Sequence, residues 1–154
     1  MIEFVPVNEE NFKDVINLEI TENQKQFVAP NVHSLAECYL YRNNNDVFPY
    51  AIQDGNKVVG FLLLDIDENE KEIMIWRMMI GKQYQGKGYG RATIRKVIQM
   101  SKEKNEYFTL IADYVKGNEV MGDLLCSEGF KNHSFNKENN EYVLHYTIKD
   151  SRVI

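Results

Sequence analysis

The chain has 154 residues, 44% hydrophobic and 12% aromatic, enough to bury one sizeable core, which excludes a disordered segment and predicts a single domain over residues 1–154. Eighteen Lys and Arg against 23 Asp and Glu leave a net charge of -5. That argues against a nucleic-acid binder, which needs clustered basic side chains, and suits a cationic small-molecule partner better.

Nowhere do about 18 apolar residues run together, and the N-terminal "MIEFVPVNEE" lacks a basic stretch followed by an apolar one. The expectation is a cytoplasmic protein with no membrane partner. Cys38 and Cys126 stand far apart without a C-x-x-C pattern, and His33, His133 and His145 show no ligand spacing. Two reduced, partly buried thiols and no metal site are expected; His33 and Glu37, four apart, read as surface polarity.

In chain order, residues 2–7 alternate as a strand and meet "NEENFKDVINLEI", where Asn8 is positioned to cap a helix with Phe12, Val15, Ile16 and Leu18 on its apolar face. After the irregular "TENQKQFVAPN", Ser34 reads as the N-cap of a second helix, with Glu37 in the capping-box position. "FPYAIQ", the turn "DGN" and "KVVGFLLLDI" form the clearest hairpin signal, and the polar turn "DENEK" leads to a third strand, "EIMIWRMMI". A glycine-rich turn follows, then a helix marked by Ala92, Ile94, Val97 and Ile98, and "YFTLIADYV" as a buried strand. Gly117 and Asn118 break that strand. "NEVMGDLLCSEGF" reads as a short helix ended by Gly129 with Phe130 packing back on it, and "EYVLHYTI" as a last strand paired near residues 130–135. The order predicts an α+β fold with a mixed sheet, in which the strand, helix and strand of residues 73–115 form a parallel crossover.

The turn "QYQGKGYG" packs three glycines into five positions ahead of a helix. The first backbone N–H groups of such a helix lack intrahelical partners, and its dipole adds about half a positive charge there, an arrangement that fits phosphate. Gly86, Gly88 and Gly90 are expected to let the chain adopt positive φ and let phosphate oxygens approach the backbone, and Lys87 and Arg91 add side-chain charge. The dinucleotide fingerprint and the Walker A motif both fail on spacing, leaving a merely flexible loop as the competing reading.

Gln85, Gly86, Lys87, Gly88, Tyr89 and Gly90 match the Q/R-x-x-G-x-G/A pyrophosphate loop of the GNAT superfamily of N-acetyltransferases, between fourth strand and third helix as in that family. "NEVMGDLLCSEGF" is similar to the superfamily's second motif, N-x-x-A-x-x-L-Y-x-x-x-G-F, with Asn118, Leu124, Gly129 and Phe130 in register. The stretches "ENQKQFVAPNVHSLAECY" and "IWRMMIGKQYQGKGYG" resemble bacterial spermine/spermidine (diamine) acetyltransferases of the BltD type.

The resemblance implies a mostly antiparallel sheet of six to seven strands flanked by about four helices, and acetyl-CoA as acetyl donor. Its pyrophosphate would lie on Gln85, Gly86, Lys87, Gly88, Tyr89, Gly90 and Arg91, its pantetheine arm along Met78, Met79 and Ile80, and Asn118 would touch that arm. The acceptor would be a primary amine, most simply a polyamine; another small amine, a protein N-terminus, or a non-catalytic acetyl-CoA or polyamine sensor are the alternatives. A homodimer is also implied.

An alkyl ammonium of pKa about 10.4 must lose a proton before it attacks a thioester, and a carboxylate can take it. Glu22 and Asp113 are the candidate bases. Glu19, Glu22 and Glu37 are candidates for binding the rest of a polycation, with Trp76 as an apolar wall or core residue, and Arg77, costly to bury alone, in an ion pair. Where the family pattern has a tyrosine as the acid for the leaving thiolate, this chain has Leu125. Tyr114, Tyr84 or a water could serve, or the thiolate, of pKa near 8.5, could leave unaided.

Overall fold

The computed structural model describes residues 1–150. The elements are β1 (Ile2–Pro6), α1 (Phe12–Ile16), α2 (Asn31–Leu40), β2 (Val47–Asp54), β3 (Lys57–Asp67), β4 (Glu72–Ile80), α3 (Tyr89–Lys104), β5 (Thr109–Val115), α4 (Glu119–Ser127), β6 (Lys131–Asn136) and β7 (Glu141–Thr147). The strand order is β1-β2-β3-β4-β5-β7-β6. Pairs β1–β2, β2–β3, β5–β7 and β6–β7 are antiparallel, and β4–β5 is parallel. The mixed, mostly antiparallel seven-stranded sheet with four helices is therefore the expected architecture. The described chain divides into two compact units, one of Met1–Asp65 with Trp76–Thr93, the other of Ile66–Ile75 with the chain from Ile94 onward.

In the first unit, Asp54 pairs with Lys57 across a two-residue turn, and Gly55 at φ +60° supplies the positive φ that such a turn needs at its first central position. Val15, Ala51, Phe61 and Leu63 are at most 1% exposed and form the core with Val58 and Met79. Each large side chain among them contributes about 1.5–3 kcal/mol of burial. Trp76 is half-buried and packs against this cluster and against the ring of Tyr41. Gly60 is required by close approach, because a Cβ there would stand 2.5 Å from the Met79 carbonyl oxygen.

The second helix start of this unit differs from expectation. At the first, Asn8 Oδ1 accepts from the N–H groups of Glu10 and Asn11 and its carbonyl from that of Phe12, the bonds of a helix cap, one turn ahead of the five residues of α1. The second helix begins at Asn31, directly after Pro30, whose extended backbone leads into it. Ser34 is consequently inside the helix and fully buried, and Glu37 faces Arg77 instead of closing a capping box.

In the second unit, β5 pairs with all seven residues of β7, and Glu72 to Ile75 of β4 run parallel to Thr109 to Ala112. Leu110 and Ala112 are fully buried while Thr109, Ile111 and Asp113 are half-buried. The strand thus alternates, with only one face in the core, where the apolar run suggested burial on both. Helix α4 ends as its sequence indicated. Gly129, at φ +103°, donates to the Cys126 carbonyl and Phe130 donates to that of Leu125, the paired bonds of a Schellman end. Cys126 is exposed and Cys38 half-buried, both free, so the expected partial burial holds for Cys38 alone.

Candidate active site

The glycine-rich turn lies in the first unit. β4 ends at Ile80, residues 82–84 make one 3₁₀ turn, and α3 starts at Tyr89 and runs for 16 residues. Gly86 and Gly88 have φ of +75° and +88°, and a Cβ at either would meet nothing within 4 Å, whereas Gly90 lies in the first turn of α3 and does not take the expected positive φ. The positions are left open by the protein itself, so their glycines serve backbone conformation and access rather than internal packing. Lys87 is exposed, with its ammonium 6.0 Å from the Tyr84 ring centre. Tyr89 donates its phenol proton to Asp54 at 2.6 Å, which holds the start of α3 against the end of β2 and raises the phenol above its usual pKa. Gln85 turns its side chain inward, donating to the Ile80 carbonyl at 2.9 Å and to Gln24 Oε1 at 3.0 Å.

Beside this turn, Glu19, Glu22, Lys25 and Lys82 rim a cavity of about 730 Å³ with Val28 and Met79 on its apolar wall. The acids already hold cations: Glu22 meets Lys25 at 2.6 Å and Glu19 meets Lys82 at 2.7 Å. The Lys82 hydrogen bond and charge lower Glu19 below the usual carboxylate value. Met79 is buried and Met78 and Ile80 are half-buried on the adjoining stretch of β4.

Arg77 has the carboxylate partner that its burial requires. It contacts Glu37 and donates to Ser34 Oγ at 3.2 Å, while His33 Nε2 stands 3.2 Å from the same carboxylate. Glu37 is therefore committed to Arg77 and His33, not an idle surface acid.

The remaining sequence candidates lie in the second unit. Asn118 immediately precedes α4 and its side chain makes no capping bond to that helix, leaving its amide unspent there. Tyr114 lies over α4, with Gly122 leaving room for the ring: a Cβ at residue 122 would be 2.9 Å from the phenol oxygen. Burial, then the nearby Cys126, raises its pKa. Leu125 is fully buried. Asp113 is raised to about 6, first by burial and then by the charge of Glu141 and a hydrogen bond with it.

Several participants escaped the sequence reading. Glu141 is brought to Asp113 by strand register, because Asp113 pairs with Val143 and Glu141 lies two residues away on the same face. Ser34, three residues before Glu37 on one helix, carried a readable signal of a shared face. Gln24 carried none.

Residues 12–121 match the acetyltransferase (GNAT) family, and the chain belongs to that family. A probable spermine N(1)-acetyltransferase of Bacillus subtilis subsp. natto (strain BEST195) is 28% identical over 102 residues, which are 60% of this chain and 63% of the relative. The spermine/spermidine N(1)-acetyltransferase of Bacillus subtilis (strain 168) is 26% identical over the same shares. The chain thus spans about 63% of the length of the curated relatives it matches.

Among solved structures it is similar to spermidine N-acetyltransferase from Vibrio cholerae in complex with CoA and spermine, with TM-score 0.72, 15% identity and coverage of 94% of this chain and 92% of the other. It is also similar to the ribosomal L7/L12 alpha-N-protein acetyltransferase RimL in complex with CoA, with TM-score 0.77, 12% identity and coverage of 95% and 93%. Likeness at these identities shows the fold, which serves both kinds of acceptor. Among the described residues no group of three or more His, Cys, Asp or Glu could hold a metal ion, and no helix is long and apolar enough to cross a membrane.

Proposed function

We propose that the chain is an acetyl-CoA-dependent N-acetyltransferase whose acceptor is a primary amine, most simply a polyamine such as spermine or spermidine. The observation that carries the reading is the open turn at Gly86 and Gly88, both at positive φ, running into the N-terminus of α3. Family membership supports the same chemistry, and the names of the curated relatives favour a polyamine.

In this reading the N–H groups of residues 85–91 receive the pyrophosphate, the β4 backbone at Met78, Met79 and Ile80 receives the pantetheine arm, and Asn118 offers it an amide. Bound acetyl-CoA supplies a thioester carbonyl. Glu19 and Glu22 bind ammonium groups at the 730 Å³ cavity by exchanging Lys82 and Lys25 for the ligand. Glu22, the more exposed of the two, takes the proton that the attacking amine must lose. Tyr114 is the candidate donor to the departing thiolate. The two free thiols accord with a cytoplasmic setting.

Calorimetric titration with acetyl-CoA, followed by turnover across spermine, spermidine, an aminoglycoside and a peptide N-terminus, tests this. Saturable binding and highest kcat/KM with a polyamine are expected; no turnover of any polyamine overturns the acceptor assignment. Gly88→Asp, which adds a Cβ at positive φ and a negative charge on the turn, should weaken acetyl-CoA binding at least about tenfold.

The buried Leu125 favours a second reading, a binder that does not transfer acetyl groups. It calls for acetyl-CoA affinity with zero turnover on the whole panel. Because that side chain is enclosed, Leu125→Tyr should overpack the second unit by about 1–3 kcal/mol and leave kcat no higher, measured by urea unfolding and initial rates.

A further inference from the structure

The cofactor turn and the acceptor-side segment are joined by a reciprocal amide pair. Gln24 Nε2 donates to Gln85 Oε1 at 3.1 Å, and Gln85 Nε2 donates back to Gln24 Oε1 at 3.0 Å. The second proton of the Gln85 amide goes to the Ile80 carbonyl at 2.9 Å, at the end of β4. Gln24 Oε1 also accepts from the Thr21 N–H at 3.2 Å, closing the 3₁₀ turn of Glu22–Gln24. One bonded chain therefore runs from the backbone of residue 21 through two side-chain amides to the backbone of residue 80. Both protons of the Gln85 side-chain amide are used in it, so that side chain has no donor left for a ligand while the pair is closed.

A parallel link stands beside it. The Lys82 N–H donates to the Glu19 carbonyl at 2.6 Å, and Lys82 Nζ holds the Glu19 carboxylate at 2.7 Å. Residues 19–25, which carry the acids of the cavity rim, are tied at both ends to residues 80–85. The end at Glu19 is solvent-exposed on both side chains and yields easily, whereas the amide pair is partly buried.

We propose that Gln24 is a positioning residue that couples the two substrate sites: occupation of the glycine turn holds Gln85, Gln85 holds Gln24, and Gln24 holds Glu22 and its neighbours in the geometry that binds the amine. The inference rests on the acetyltransferase reading above. By linkage the coupling is reciprocal, so amine binding tightens the cofactor by the same factor. Gln24 touches neither substrate. Its loss should uncouple the sites rather than abolish either.

The test compares wild type, Gln24→Leu, Gln85→Leu and the double variant. Calorimetry with coenzyme A, alone and with saturating spermine, should give a coupling of at least about fivefold in wild type and about none in Gln24→Leu, whose affinity for coenzyme A alone stays within about twofold. In steady state Gln24→Leu should raise the KM for the amine at least about fivefold while the KM for acetyl-CoA holds. Gln24→Glu, which keeps both accepted bonds, should recover part of the loss.

Equal coupling in wild type and Gln24→Leu overturns the inference but leaves the acetyltransferase reading intact. Absence of coenzyme A binding in wild type overturns that reading instead. The bonded chain is then judged by hydrogen exchange alone: Gln85→Leu should speed exchange of the amides of residues 21–25 without any ligand, and unchanged exchange rejects the link.

Discussion

Three acids of the first unit and Asp113 of the second meet opposite fates. In the first, Glu19, Glu22 and Glu37 each hold a cation: Lys82, Lys25 and Arg77. In the second, Asp113 leans on another acid, Glu141, and one of its oxygens is buried without a hydrogen-bond partner. The same functional group is thus favoured in its charged form at Glu19 and driven towards its protonated form at Asp113, because the Lys82 hydrogen bond and charge favour ionisation while burial and a like charge oppose it. An acidic residue found in a sequence says little about its protonation until its neighbours are known.

The largest expected effect comes from removing a partner where the pair is enclosed. Side chains of Arg77 and Glu37 are only 20% and 21% exposed, so Glu37→Ala should cost about 3 kcal/mol by stranding the guanidinium. Urea unfolding checks this, and Glu37→Leu combined with Arg77→Met should regain most of it. A single-variant loss below about 1 kcal/mol would mean that water compensates Arg77.

Asp113→Asn should act in the reverse direction. The carboxyl has a pKa of about 6 when folded against 3.8 ordinarily, so between those values the folded chain binds more protons, and stability falls as pH rises through the window. The destabilisation is complete above the folded value. Replacing Asp113 should therefore stabilise by about 1 kcal/mol near pH 8, after allowance for solvent screening, and by nothing near pH 3. Thermal melts at the two pH values decide it; a destabilised variant at the higher pH would show that the Asp113 carboxylate gains more from its surroundings than burial and Glu141 cost it.

Glu22→Gln carries the smallest stability effect. With 88% of the Glu22 side chain and 58% of Lys25 exposed, the unfolding midpoint should not move, while the KM for a polyamine should rise about fivefold. A shifted midpoint with unchanged KM would reverse the contrast and make this pair structural.

Much of the architecture was legible because local signals agreed with the global fold. The Gly55-Asn56 turn, the Gly129 helix end and the glycines before α3 are all set by which residues tolerate positive φ, a property of single residues. Ser34 misled for a related reason: it is a good cap in isolation, but Pro30 started the second helix earlier, and Arg77 claimed the Ser34 hydroxyl. Glu37 had a capping role available by spacing and an ion pair by packing, and the buried guanidinium across from it won.

From the amino acids alone came the family pattern, the strand and helix order, the glycine-rich turn before α3 and the departure at Leu125, since all of these depend on residue type and short-range spacing. Only the tertiary structure decided which partner each charged or amide side chain found. Gln24 and Gln85 lie 61 residues apart, Arg77 and Glu37 lie 40 apart, and no periodicity reports such distances. Hydrogen bonds and ion pairs act over a few ångströms, so their specificity appears only once the backbone has brought remote segments into register.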